Sequence, residues 1–157
     1  MFGFGVKKDR KKTKVLTFAN QKGGVGKTTT TINLGSAMAE SGQKVLIIDL
    51  DPQGNASTGL GINKEDRDFS IYDVLSQEKN IVDIKLDTPV GNLEIVPSTL
   101  DLLGLESTLV NDSDKSYKLK KAIQSLDSSS DSYFDYILID CPPSLNLLTI
   151  NALAASD

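Results

Sequence analysis

The chain has 157 residues, 39% hydrophobic and 24% charged, which fits one globular domain with its own core and excludes a disordered, collagen-like or disulfide-scaffold protein. Its single cysteine, Cys141, has no internal disulfide partner, no apolar run nears the roughly 20 residues of a membrane span, and no secretory signal opens the chain, so a cytoplasmic protein without a membrane partner is expected. The net charge of −4 is unevenly placed, because residues 7–14 hold Lys7, Lys8, Arg10, Lys11, Lys12 and Lys14 against Asp9 and so carry +5, leaving −9 elsewhere.

Residues 1–13 read as a basic arm, either a frayed solvated terminus or a segment that touches nucleic acid or anionic lipid. Residues 14–157 read as the folded part. A short β-rich run over 15–19 leads into a glycine-rich turn and then a helix over 28–40, with Ile32, Leu34, Ala37 and Met38 as its apolar positions and Gly42 as its stop. The continuous apolar run 45–48 has the pattern of a strand buried on both faces. Residues 50–68 are polar and glycine-dotted and predict a loop at the end of that strand. Ser70 caps a short helix running to residue 77. A strand over 93–96 ends at Pro97; a leucine-rich helix over 100–110 is interrupted by Gly104; a helix over 117–126 precedes a Ser/Asp loop at 127–132. A last buried strand over 136–139 ends at Asp140, and Pro142 and Pro143 forbid its continuation. Strands alternating with helices predict an α/β fold with a mostly parallel sheet flanked by helices, whose ligands bind outside the carboxyl ends of the strands.

Three segments converge on those ends. Lys22-Gly23-Gly24-Val25-Gly26-Lys27-Thr28-Thr29 stands between a strand and a helix, the context a phosphate loop requires. Its glycines let successive N–H groups turn toward phosphate oxygens, with the positive end of the helix dipole on the same anion. Lys27 neutralises the β and γ phosphates of a nucleotide such as ATP, and Thr28 offers a hydroxyl to Mg²⁺, an ion that takes few protein ligands. The first glycine of the standard loop falls on Gln21. In the second segment Asp49 and Asp51 leave the strand together, and alternation puts them on one side. Asp49 reads as a metal ligand or as a structural support. A carboxylate at such a strand end can face Mg²⁺-bound or attacking water; the other reading of Asp51 is a turn cap. The third segment, 135–144, is an apolar strand closed by Asp140, which would bind Mg²⁺ through water. Cys141 reads as inert packing, since the chain has no histidine and no second cysteine.

The run KGGVGKTT resembles the deviant Walker A ATPases, a group of P-loop proteins that includes the ParA/Soj partition proteins, the MinD division-site proteins and nitrogenase iron protein. Lys22 matches their signature lysine, which implies a catalytic contact to the nucleotide across an ATP-dependent homodimer. The run from Val45 to Asn55 resembles the ParA/Soj branch; it implies Asp51 as the hydrolytic aspartate beside Lys22 and Lys27, with Asn55 as a switch-loop candidate. The segment DCPPS and the stretch 145–155 resemble the same branch. The likeness covers nearly all of the chain from Lys14 and only the N-terminal portion of the family's domain. It implies an ATPase that partitions plasmid or chromosomal DNA in a bacterium, works with a ParB-type centromere-binding protein, binds DNA nonspecifically through the part beyond residue 157, and associates with the nucleoid. Two alternatives are a MinD-like ATPase cycling on a membrane and a non-hydrolysing nucleotide-binding fragment.

Overall fold

A computed structural model describes residues 11–126 and 133–157. The first ten residues of the basic arm and the 127–132 loop lie outside the described residues. In chain order the elements are β1 (Lys14–Phe18), α1 (Lys27–Glu40), β2 (Val45–Asp49), α2 (Asn55–Gly59), α3 (Ile71–Leu75), α4 (Ile81–Ile84), β3 (Leu86–Asp87), β4 (Leu93–Val96), α5 (Leu105–Thr108), α6 (Lys118–Leu126), β5 (Tyr136–Asp140) and α7 (Leu147–Ala155). The sheet runs β1-β5-β2-β4-β3. β1, β5, β2 and β4 are parallel, and only the short β3 runs antiparallel to β4, so the expected α/β architecture is present.

The continuous apolar strands are buried on both faces because helices cover both. Along β2, Leu46 and Ile48 face one core with Ile137, Ile139, Val96 and the apolar sides of α3, α6 and α7. Val45 and Ile47 face the other, with Leu138, Leu93, Ile95 and the residues of α1 and α2. All four β2 side chains are at 0% exposure. At roughly 1.5–3 kcal/mol for each fully buried aliphatic side chain, this strand anchors the fold. α1 lies close on the sheet: a Cβ on Gly35 would stand 3.0 Å from the Ile47 side chain.

The structure departs from the sequence reading at short elements. Ser70 caps α3 as expected, accepting from the Tyr72 amide while Asp73 completes a capping box, but the helix stops at Leu75 and Gln77 is left-handed at φ 66°. The 50–68 loop contains α2. The 100–110 helix is a 3₁₀ turn over Leu100–Gly104 followed by α5, and the 117–126 helix starts as α at Lys118. α4 and β3 had no signal, since four and two residues carry no readable period.

α6 and α7 are joined by Asn151, which is fully buried. Its Oδ1 accepts from the Leu119 amide at 3.1 Å, and its Nδ2 donates to the carbonyls of Lys115 and Leu147, both at 2.9 Å. At the head of α7, Asn146 accepts from the amides of Leu148 and Thr149, and Glu106 of α5 accepts from the Leu147 amide. Four amides at a helix start have no helical acceptor; these two side chains take three of them, and Glu106 ties the start of α7 to α5.

Candidate nucleotide-binding site

Register brings the site together. β5 lies between β1 and β2, and Phe18, Asp140 and Asp49 share one row at the carboxyl ends of the three strands. The loop between β1 and α1 therefore passes directly over Asp140. A cavity of about 480 Å³ opens there, lined by Gly23, Gly24, Val25, Gly26, Lys27, Thr28, Thr29, Asp51, Gln53, Asn55, Cys141 and Pro143. Seven of the eight loop residues singled out in the sequence line it. Gly26 takes φ 85° as it enters α1, a conformation that a side chain would strain. Lys27 reaches back to the Lys22 carbonyl at 3.4 Å, curling the loop over its own centre. Lys22 itself is exposed and its side chain does not line the cavity.

The two expected oxygen donors meet: the Thr28 hydroxyl donates to Asp140 Oδ2 at 2.7 Å. Asp140 is at 0% exposure and, among the described residues, its Oδ1 has no hydrogen-bond partner. Burial raises the Asp140 pKa, the Thr28 hydrogen bond opposes that rise, and the Asp51 charge adds to it. A buried anionic oxygen left open beside a hydroxyl is the donor set that suits a hard divalent cation. Among the described residues no group of three or more His, Cys, Asp or Glu side chains could hold a metal ion. Mg²⁺ keeps several waters and takes one or two protein oxygens plus substrate phosphates.

Asp49 and Asp51 separate, contrary to the alternation argument, because β2 ends at Asp49 and Asp51 sits in the turn beyond it. Asp49 is fully buried. Its Oδ2 accepts from the Ser57 amide at 2.9 Å and the Ser57 hydroxyl at 2.7 Å, and its Oδ1 from the Asp51 amide at 3.1 Å. Burial pushes its pKa up to about 7 against the Ser57 hydrogen bonds. Both Asp49 oxygens accept hydrogen bonds from the loop that follows β2. Asp51 is half-buried, lines the cavity, and accepts from the Gln53 amide at 3.0 Å. Cys141 is buried, and burial, followed by the Asp140 charge, pushes its thiol up to about 12, which leaves it protonated and unreactive.

Sequence reasoning missed Ser57, Ser98 and Arg67, which fasten the Asp51 loop to the sheet. None carries a motif, and Ser98 lies 47 residues from the Asp51 carbonyl it donates to. A second cavity of about 490 Å³, lined in part by Lys44, Lys85, Asp87 and Glu94, contains none of the motif residues. Among the described residues no helix is long and apolar enough to cross a membrane.

Residues 13–157 match a family model described as an AAA domain. The chain is 49% identical over 144 residues to the sporulation initiation inhibitor protein Soj of Bacillus subtilis, covering 92% of this chain and 55% of that protein. It spans about half the length of the curated relatives it matches. Among solved structures it superposes with a TM-score of 0.86 and 41% identity on a cobyrinic acid a,c-diamide synthase from Mycobacterium smegmatis with bound ATP analog and magnesium, covering 92% of this chain and 56% of that one. It also superposes with a TM-score of 0.80 and 34% identity on a plasmid partition protein from Borrelia burgdorferi bound to AMPPNP, covering 93% and 59%. With a phosphate loop over the Thr28–Asp140 pair and Asp51 across the cavity, the chain belongs to the AAA domain family and, within it, to the ParA/Soj type of P-loop partition ATPases.

Proposed function

We propose that this chain binds and hydrolyses ATP with Mg²⁺ as the switch of a DNA-partitioning system, acting as an ATP-dependent homodimer with a ParB-type protein and nonspecific DNA at the nucleoid. The observation that carries the reading is the Thr28–Asp140 pair, whose open buried oxygen lies beneath the phosphate loop and in the same cavity as Asp51. The loop amides and the Lys27 ammonium bind the phosphates, and the dipole of the 14-residue α1 favours the same charge. Thr28 and Asp140 would hold a Mg²⁺, which would supply positive charge to offset the negative charge that develops on the phosphates. Asp49 fixes the backbone of Asp51 through its amide. Asp51 exchanges its contact with the Gln53 amide for the attacking water and orients it in line. Because phosphoryl transfer leaves the protein mainly positioning and electrostatic work, one carboxylate suffices for this step. Lys22, exposed at the rim, is free to reach the nucleotide of a second copy. The basic arm 1–13 precedes the ATPase part 14–157.

The M. smegmatis neighbour bears the name of a synthase, so the shared fold does not choose the reaction; the Asp51 loop and the likeness to Soj favour hydrolysis in a partition switch. Titration calorimetry with ATP and Mg²⁺ tests the reading. Lys27→Ala is expected to abolish binding, whereas Asp51→Ala binds normally and loses phosphate release. Equal affinity in Lys27→Ala, or undiminished hydrolysis in Asp51→Ala, would overturn it. Sedimentation with ATP tests Lys22→Ala, expected to bind as a monomer and not to dimerise.

A further inference from the structure

We propose that Arg67 and Ser98 are positioning residues that set the orientation of Asp51; the proposal rests on the ATPase reading above and deepens it. Arg67 is one of only two arginines in a chain with 15 lysines, and it is buried at 8% exposure. Buried guanidinium groups are normally matched by a carboxylate, yet among the described residues Arg67 has no ion pair. Its bonds go to neutral groups. Nη2 donates to the Thr58 hydroxyl at 2.8 Å and to the Ile62 carbonyl at 2.7 Å, and Nη1 donates to the Ser98 carbonyl at 3.2 Å. The fork thus ties α2 and the turn after it to the second residue beyond the end of β4.

Ser98 continues the connection to Asp51. It is fully buried; its amide donates to the Ser57 hydroxyl at 3.1 Å and its own hydroxyl to the Asp51 carbonyl at 2.5 Å. Ser57 in turn donates to Asp49, which accepts from the Asp51 amide. The Asp51 backbone is therefore gripped at its N–H by Asp49 and at its C=O by Ser98, and Arg67 holds Ser98 and α2 in register. The fit is close enough to dictate a neighbouring residue: Gly54 has φ 65°, and a Cβ there would stand 2.4 Å from Arg67 Nη1.

Neither residue belongs to the apolar cores, and neither lines the nucleotide cavity. What they order is the loop that presents Asp51. A planar fork with fixed donor directions serves three acceptors on separate segments; a lysine ammonium on a flexible stem does not. Loss of the fork is expected to leave the phosphate loop and nucleotide affinity unchanged while the Asp51 carboxylate loses its fixed direction, and misplacement of a positioned group by about 1 Å costs on the order of 10²-fold in rate.

The experiment measures ATP turnover, KM and thermal melting of the full-length gene product, with Arg67→Met, Arg67→Lys and Ser98→Ala. The expected result is kcat lowered roughly 10- to 100-fold in Arg67→Met and Ser98→Ala, KM within about twofold, and incomplete rescue by Arg67→Lys. In an Asp51→Asn background, Arg67→Met should cause no further loss, because it acts only through Asp51. Should Arg67→Met fail to fold, Ser98→Ala, which removes a single hydroxyl, carries the test. Unchanged kcat in the variants, a loss confined to KM, or additive losses with Asp51→Asn would overturn the proposal while the ATPase reading stands. Absence of hydrolysis by the wild-type protein would instead overturn that reading, and this proposal with it.

Discussion

Asp140→Asn should make the nucleotide-free protein more stable while removing its response to Mg²⁺ and ATP. The carboxylate is fully buried, only one of its oxygens has a donor, and burial has raised its pKa. The amide keeps the shape and the oxygen facing Thr28 but removes the charge. An unsatisfied buried neutral group costs about 1–3 kcal/mol and a charged one more, so a gain of roughly 1–2 kcal/mol at pH 8 is expected. For a domain of this length that is roughly 2–8 °C in Tm. The sign with pH follows from the raised pKa. The stability belonging to protonated Asp140 is complete below the ordinary carboxylate value of 3.8 and is lost as pH rises through the folded-state value. The variant has no such group, so its advantage is larger at pH 8 than at pH 4; Asp49, raised in the same direction, is present in both proteins and largely cancels. Ligand reverses the order. Mg²⁺ and ATP at a hundredfold excess over Kd add about 2.7 kcal/mol to the wild type and little to the variant. Melts at both pH values, with and without ligand, make the test. A variant less stable than wild type at pH 8 without ligand, or equally stabilised by it, would refute the argument.

Asn151→Ala removes three hydrogen bonds, one to α6, one to the turn before α6 and one within α7, leaving buried groups unpaired at a cost of about 2–4 kcal/mol; urea unfolding should show a lower midpoint. Cys141 should resist a thiol reagent at pH 8 in the folded protein and react fully in urea, since its thiol is buried and raised to about 12; fast labelling of the native state would contradict that environment. Gly54→Ala combines a left-handed φ with a contact of 2.4 Å to Arg67, and is expected to destabilise by about 1–3 kcal/mol. In Arg67→Met, Gly54→Ala should cost less, a coupling that a double-mutant cycle of melting data reads directly.

The long elements and the phosphate loop were legible because each has a local cause. β2 and β5 are uninterrupted apolar runs, α1 follows a glycine turn, and Thr28 and Asp140 stand where a phosphate loop and a strand end put them. Asp49 and Asp51 were legible as a pair but not in their separation, since alternation holds only within a strand and β2 stops between them. α2, α4 and β3 are too short for periodicity. Arg67 and Ser98 gave no local signal, because what makes them matter is the meeting of segments 31 residues apart. Lys22 was legible through family likeness alone, and it stands exposed beside the loop with no partner for its ammonium among the described residues.

The strand order has a consequence for how this protein is made. β1 and β2 are consecutive in sequence but not neighbours in space; the slot between them is one strand wide and is filled by β5 from Tyr136 onward. Until that segment has left the ribosome, β1 and the inner edge of β2 keep bare backbone, and the phosphate loop has no Asp140 beneath it. A growing chain therefore lacks a complete site until β5 emerges, and among the described residues that strand both fills the slot and places Asp140 beneath the phosphate loop. Such long-range insertion is slow compared with local pairing and leaves adhesive edges exposed meanwhile, so folding yield in the cell should depend on chaperone protection during synthesis more than on the stability of the finished fold.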